Sequence, residues 1–321
     1  MEVNSTSDAA NSKVDLQDFY ISSNRSVNLS CAWIAGGLGL IQLYVLVRLA
    51  LKEGDPGSPW KSLHSPFNLC LFIMILSMSF NIPFYYLYTE APDSMTSSIY
   101  NSATLITNAI FVVTIFLYAC LRGWGVIEIV NPRLISSIPY AFALFVLVNV
   151  ANVVLLILGY GFGEPTPLQT ELIPYGNASF LAILAFLSVF DVYITCCYVI
   201  YLSRAKKNTQ LETGRLLIIA QFGVGSNLVL ELVFAVTLGD TYATVHLDGP
   251  ASMNGFLALN ALTSLLPFVY LAIQLWMKYA LEEDKKNEKL RKESQLEKAR
   301  MLSGLSVSQP TQDRSDYRSQ A

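Results

Sequence analysis

Charge is scarce in this sequence: Asp, Glu, Lys and Arg make up 14% of its 321 residues, where a water-soluble domain carries roughly 25%. Too few charged side chains remain to cover a water-facing surface, which excludes an ordinary cytosolic enzyme. Histidine is scarcer still. The two histidines, His64 and His246, lie outside the apolar stretches, so a multi-histidine metal site or a buried His-based nucleophile is excluded with them. Five cysteines, of which only Cys31 lies near the end of an apolar stretch that faces outward, support no disulfide framework. No enzymatic activity, catalytic residue, metal, cofactor or nucleic-acid partner is expected.

What the chain has instead is apolar residues, 53% of the total, with a mean hydropathy of +0.44. A helix needs about 20 consecutive apolar residues to cross the hydrocarbon core of a bilayer. Seven segments meet that requirement: Leu29 to Leu51, Phe67 to Tyr88, Ile99 to Leu121, Leu134 to Tyr160, Ala178 to Leu202, Leu216 to Leu238, and Phe256 to Met277. Barrel strands would be about half as long and would alternate, so the expected fold is an all-α membrane protein, a seven-transmembrane helix bundle. Residues 1–28 form a polar tail without the architecture of a signal peptide, and 29–277 form the transmembrane domain. Residues 278–302 carry interleaved acids and bases at helical spacing, such as Glu288 with Lys292, which predicts a solvated helix. This segment extends the seventh span or breaks into a surface helix. Residues 303–321 have the Ser, Gln and Asp content of a disordered tail.

Orientation follows from the bases. Nineteen of the 21 Lys and Arg residues fall on the side that holds the first, third and fifth connections and the C-terminal region. The positive-inside rule makes that side cytoplasmic and places the N-terminus outside, in the plasma membrane or another membrane of the secretory pathway. The sequons at Asn4 and Asn24 then lie outside and are the glycosylation candidates; those at Asn28 and Asn177 adjoin helix starts and are poorer acceptors.

Two acids, Asp191 and Glu231, lie within spans, where a carboxylate costs about 2.5–3.5 kcal/mol and ordinarily faces a bundle interior or a cavity. Counted at 1.5 Å per residue from Arg204 and Arg215, they sit roughly 20 and 24 Å deep. Each continues a polar helix face, Ser188, Asp191 and Thr195 on one and Asn227 with Glu231 on the other. Asn108 in the third span and Asn260 in the seventh add to these faces. Their convergence predicts a polar ligand-binding cavity in the outer half of the bundle, with interhelical hydrogen bonding as the plainer use of the same groups. No Lys or Arg lies deep in a span, so neither acid is expected to have a cationic partner from the chain itself. Arg122 ends the third span and reads as a snorkelling anchor, with reach into the inner mouth as the alternative. Pro83 and Pro267 can kink their helices. Ala32 with Gly36, and Ala35 with Gly39, allow close packing within the bundle or a homodimer contact.

Seven spans with an outer N-terminus, sequons on the tail, a basic third inner loop and a charged inner tail resemble the G-protein-coupled receptors. Leu266-Pro267-Phe268-Val269-Tyr270 keeps the Pro-x-x-Tyr spacing of their Asn-Pro-x-x-Tyr motif, with Leu266 in place of Asn. Ala119-Cys120-Leu121-Arg122 ends on an arginine as Asp-Arg-Tyr does, without the acid before it. The outer loops carry no cysteine, so the resemblance is to a divergent member. It implies a receptor for an extracellular or membrane-accessible ligand, with Pro267, Tyr270 and Arg122 as switch residues and a heterotrimeric G protein as a cytoplasmic partner. The alternative is a proton- or cation-coupled transporter using Asp191 and Glu231.

Overall fold

The computed structural model describes residues 5–53, 60–160, 167–208, 213–246 and 250–306. These form nine α-helices: α1 (Ser5–Glu53), α2 (Trp60–Leu63), α3 (Pro66–Glu90), α4 (Ser94–Val130), α5 (Pro132–Ile135), α6 (Ile138–Tyr160), α7 (Pro167–Asn208), α8 (Thr213–His246) and α9 (Pro250–Ser306). No strand occurs among the described residues. Seven of the helices are long and apolar enough to cross a membrane; α2 and α5 are single turns. In lipid every backbone N–H and C=O must be satisfied within the segment, and continuous helices meet that demand.

Successive spans alternate in direction. The starts of α1, α4, α7 and α9 therefore share one end of the bundle, the N-face, with the ends of α3, α6 and α8; the opposite end is the C-face. α1 packs against α3 and α9, α3 against α4, α7 against α8 and α8 against α9, so the ring closes. α4 touches α3, α6 and α7 and carries the largest set of buried residues. Around Phe116 the rings of Phe145 and Phe190 lie 4.5 and 4.6 Å away between centroids, locking α4, α6 and α7 together through dispersion and ring geometry.

Local chemistry sets the helix ends. Pro66 opens α3 behind Ser65, whose hydroxyl caps the Asn68 N–H. Asp93 caps α4 by accepting from the Thr96 N–H and hydroxyl, both at 2.8 Å. The backbone bond from Thr96, followed by the hydroxyl, holds the Asp93 carboxyl below its ordinary range. Because the folded value is depressed, the cap contributes fully above the unfolded pKa of about 3.9 and is lost as pH falls through the lower folded value. Asp93→Ala should therefore lower the thermal midpoint at pH 7 and converge with wild type under strong acid, whereas Asp93→Asn should keep the cap. Midpoints measured along a pH series check both.

Two helix boundaries differ from the sequence expectations, and the charged segment takes one of the two forms expected of it. α4 continues eight residues past Arg122 to Val130, because the segment holds no proline, isolated glycines cost only about 1 kcal/mol each in a helix, and the first stop signal is Pro132. α7 begins ahead of Ala178 and contains Pro174. The charged segment after Met277 continues α9 without a break, since Lys, Glu, Ala and Leu are strong helix formers.

Candidate functional site

A cavity of about 260 Å³ opens from the N-face between α3, α4, α7, α8 and α9. Asn108 and Asn260 line it, as expected of these two residues, together with Pro267 and Tyr270. The rest of the predicted ligand set lies elsewhere: Ser188, Asp191, Thr195, Asn227 and Glu231 are not among its lining residues. The walls are instead Leu, Ile, Val and Phe interrupted by uncharged polar groups.

Asp191 has a partner after all. Arg122 Nη2 donates to Asp191 Oδ1, and the two side chains are 3% and 1% exposed. This corrects the reading of Arg122 as a membrane-edge anchor and of Asp191 as a carboxylate without a cation. With α4 continuing past it, Arg122 lies about 12 Å inside the helix end at 1.5 Å per residue, and its long side chain reaches across to α7. Gly123 makes that reach short. A Cβ there would stand 3.0 Å from Ile194 Cγ1, so a larger residue would require Ile194 to give by a few tenths of an ångström. The Tyr198 hydroxyl donates to the Arg122 carbonyl oxygen and adds a second tie between the helices. Tyr118 and Tyr270 are near enough to both charges to interact with them electrostatically. Arg122 Nε and Nη1, Asp191 Oδ2, the Tyr270 hydroxyl and both side-chain polar atoms of Gln274 are buried and make no hydrogen bond within the protein.

The remaining residues of the polar faces form a seam between α7 and α8. Asn227 Nδ2 donates to Thr195 Oγ1 at 2.9 Å and to the Asp191 carbonyl oxygen at 3.5 Å, and Ser188 Oγ donates to Glu231. Gly223 allows the contact, its Cβ position lying 3.2 Å from Thr195 Oγ1. Glu231 itself is exposed on the outer side of α8, away from the bundle axis, so the structure does not join the two acids in one site. Bonds of this kind between membrane helices average about 0.6 kcal/mol. Asn227→Leu should accordingly lower stability by about that amount and no more, a difference readable in the thermal midpoint of the purified protein.

At the C-face a second cavity, of about 470 Å³, has Arg122 and Tyr198 in its wall alongside Glu53, Ser62 and Lys278. Lys278 Nζ donates to Glu53, which also accepts from Asn68 Nδ2 at 3.1 Å and Ser62 Oγ at 3.0 Å. This knot joins α1, α2, α3 and α9. Sequence reasoning missed it, as it missed Gln42, whose Nε2 donates to the Phe268 carbonyl oxygen at 2.8 Å and pins α1 to α9 one residue beyond Pro267. A glutamine within the first span was the available signal. Among the tail asparagines, Asn4 lies outside the described residues and Asn24 sits on α1 with Oδ1 turned away from solvent. Asn28 is buried, where its Oδ1 accepts from Asn260 Nδ2 at 3.0 Å. Among the described residues no group of three or more His, Cys, Asp or Glu comes together as a metal site.

No protein-family model matches the chain, and no curated protein matches it in sequence.

Proposed function

We propose that this chain is a divergent seven-helix receptor, with its N-terminus outside the cell and its C-terminus in the cytoplasm, in the plasma membrane or another secretory-pathway membrane. A ligand occupies the N-face cavity, and the C-face signals to a cytoplasmic partner such as a heterotrimeric G protein. The observation that carries this reading is the placement of the Arg122–Asp191 pair. It ties α4 to α7, Arg122 forms part of the C-face cavity wall, and Tyr270 both lines the N-face cavity and lies within electrostatic range of the pair. A ligand that moves Tyr270 or bends α9 at Pro267 changes the field on the pair, and a change in the pair reshapes the C-face. Such coupling needs a differential contact with two states of one element, and the pair is that element. The proposed orientation is supported by the 19 bases on the C-face side.

A transporter is the second reading, favoured by cavities on opposite faces with a carboxylate between them. Against it, Asp191 is already neutralised by Arg122 and Glu231 faces away from the axis, whereas a coupling acid must exchange its proton or cation. The test is co-expression with G proteins, with Asp191→Asn beside wild type. The expected result is a several-fold rise in nucleotide exchange without added ligand, because the α4–α7 tie is loosened. pH-dependent solute uptake by vesicles that carry wild type and is lost in Asp191→Asn would overturn the receptor reading.

A further inference from the structure

The N-face cavity has no charged wall. None of its lining residues is Asp, Glu, Lys, Arg or His, and Arg122 and Asp191, within electrostatic range of Tyr270, compensate each other. An ion placed there would lose its hydration without a counter-charge, at a cost of several kcal/mol. The polar groups of the wall are mostly committed. Asn81 Nδ2 donates to the Thr104 carbonyl oxygen at 2.8 Å and to Thr107 Oγ1 at 3.1 Å. Asn260 Nδ2 donates to Asn28, and the hydroxyls of Thr104, Thr237 and Thr263 donate to carbonyls of their own helices at 2.8 to 2.9 Å. Three groups remain: among the described residues Asn108 and Ser264 make no hydrogen bond, and the Tyr270 hydroxyl is buried without a partner. A phenolic O–H in an apolar setting is costly to leave unpaired, and it is a donor for an oxygen acceptor. The volume of about 260 Å³ falls just below the roughly 300–1,000 Å³ of sites for drug-sized ligands, so the occupant is small.

We infer that the N-face cavity takes a small, uncharged, mainly apolar molecule bearing an oxygen acceptor, such as an alcohol, ketone or lactone, whose oxygen receives a hydrogen bond from Tyr270 while Asn108 offers a second polar contact. The inference rests on the receptor reading in taking this cavity as the ligand site. Ligands recognised through an ammonium or carboxylate are excluded by the same walls.

The experiment uses the full-length chain in lipid nanodiscs and measures saturable binding of decanol, 2-decanone and δ-decalactone, with decylamine and decanoate as charged counterparts of matched chain length. At pH 7 at least one neutral probe should bind saturably and the charged pair should not. Tyr270→Phe should weaken that binding by about 2- to 12-fold, the value of one hydrogen bond of 0.5–1.5 kcal/mol, and Asn108→Leu should weaken it further. Leu187→Trp, which fills the cavity, should abolish it. Saturable binding of the amine or carboxylate in preference to the neutral probes would overturn the inference, as would neutral binding unchanged in Tyr270→Phe, or no saturable neutral binding at all. Nucleotide exchange is followed in parallel. Neutral binding as described with no exchange response leaves the inference standing and removes the receptor reading, whereas exchange driven by a charged ligand does the reverse.

Discussion

Asp191→Ala and Arg122→Ala each destabilise the bundle by about 3–5 kcal/mol, and the double replacement Arg122→Met with Asp191→Leu recovers most of that loss. Removing one partner of a buried pair leaves the other charge in a low-dielectric interior without compensation, which is where the large penalty arises. Replacing both by apolar side chains of similar volume removes the penalty together with the attraction, and such exchanges range from neutral to stabilising by about 1–4 kcal/mol. The Arg122→Met, Asp191→Leu protein should therefore be folded and lack the α4–α7 tie, which separates the structural from the signalling role of the pair. The measurement can use the chain's own thiols. Cys31, Cys70, Cys120 and Cys197 are buried within the protein, and Cys196, exposed on α7 inside its membrane span, faces lipid, so an apolar thiol-reactive dye reads unfolding from the four buried thiols. Single and double variants that add independently would show that the two side chains are not coupled.

Gly39→Leu is the second large effect, and Gly36→Leu is its matched control one turn away on α1. A Cβ at Gly39 would lie 1.9 Å from Ser79 Oγ and 3.0 Å from Ser79 Cβ. Ser79 Oγ is engaged with the Ile75 carbonyl oxygen at 2.7 Å, so it can yield only by giving up that bond or by moving α3. A Cβ at Gly36 meets nothing within 4 Å. Overpacking a tight contact costs typically about 1–3 kcal/mol, and a leucine, far larger than a methyl, belongs at or above the upper end. Gly36→Leu should stay within about 0.5 kcal/mol, the range of substitutions away from packed contacts. Equal labelling midpoints for the two variants would show that α1 does not meet α3 through this face. Of the two small-residue faces on the first span, it is thus Ala35 with Gly39 that serves packing within the bundle.

The spans themselves were legible because hydropathy over 20 residues is a property of the segment alone. What that pattern could not supply is the rotation of each helix about its axis, and the site depends on rotation. Asp191 and Glu231 occupy similar heights on consecutive helices, yet α7 turns Asp191 to the centre and α8 turns Glu231 outward. Arg122 stands out in the sequence but its depth does not, because the first charge after an apolar run marks a membrane edge only where the helix also ends, whereas α4 continues until Asn131 and Pro132 stop it. Its partner lies 69 residues away in sequence, and Gln42 lies 226 from the carbonyl it caps; no local periodicity encodes such pairs. Asn108 and Asn260 stand in the cavity wall, whereas Asn227, on the same kind of polar face, lies in the seam between α7 and α8.

The uninterrupted α9 has a mechanical consequence. From Pro267 to Ser306 it spans 40 residues, roughly 60 Å at 1.5 Å per residue, without a joint. The proline sits beside the N-face cavity and is clamped to α1 just beyond it by Gln42, so the arm pivots close to where a ligand would press. A change in bend of about 5° at that fulcrum carries the far tip through about 5 Å, several times the displacement at the cavity wall. The same rigid rod that crosses the bundle thus serves as a lever whose long end is the charged segment around Lys292.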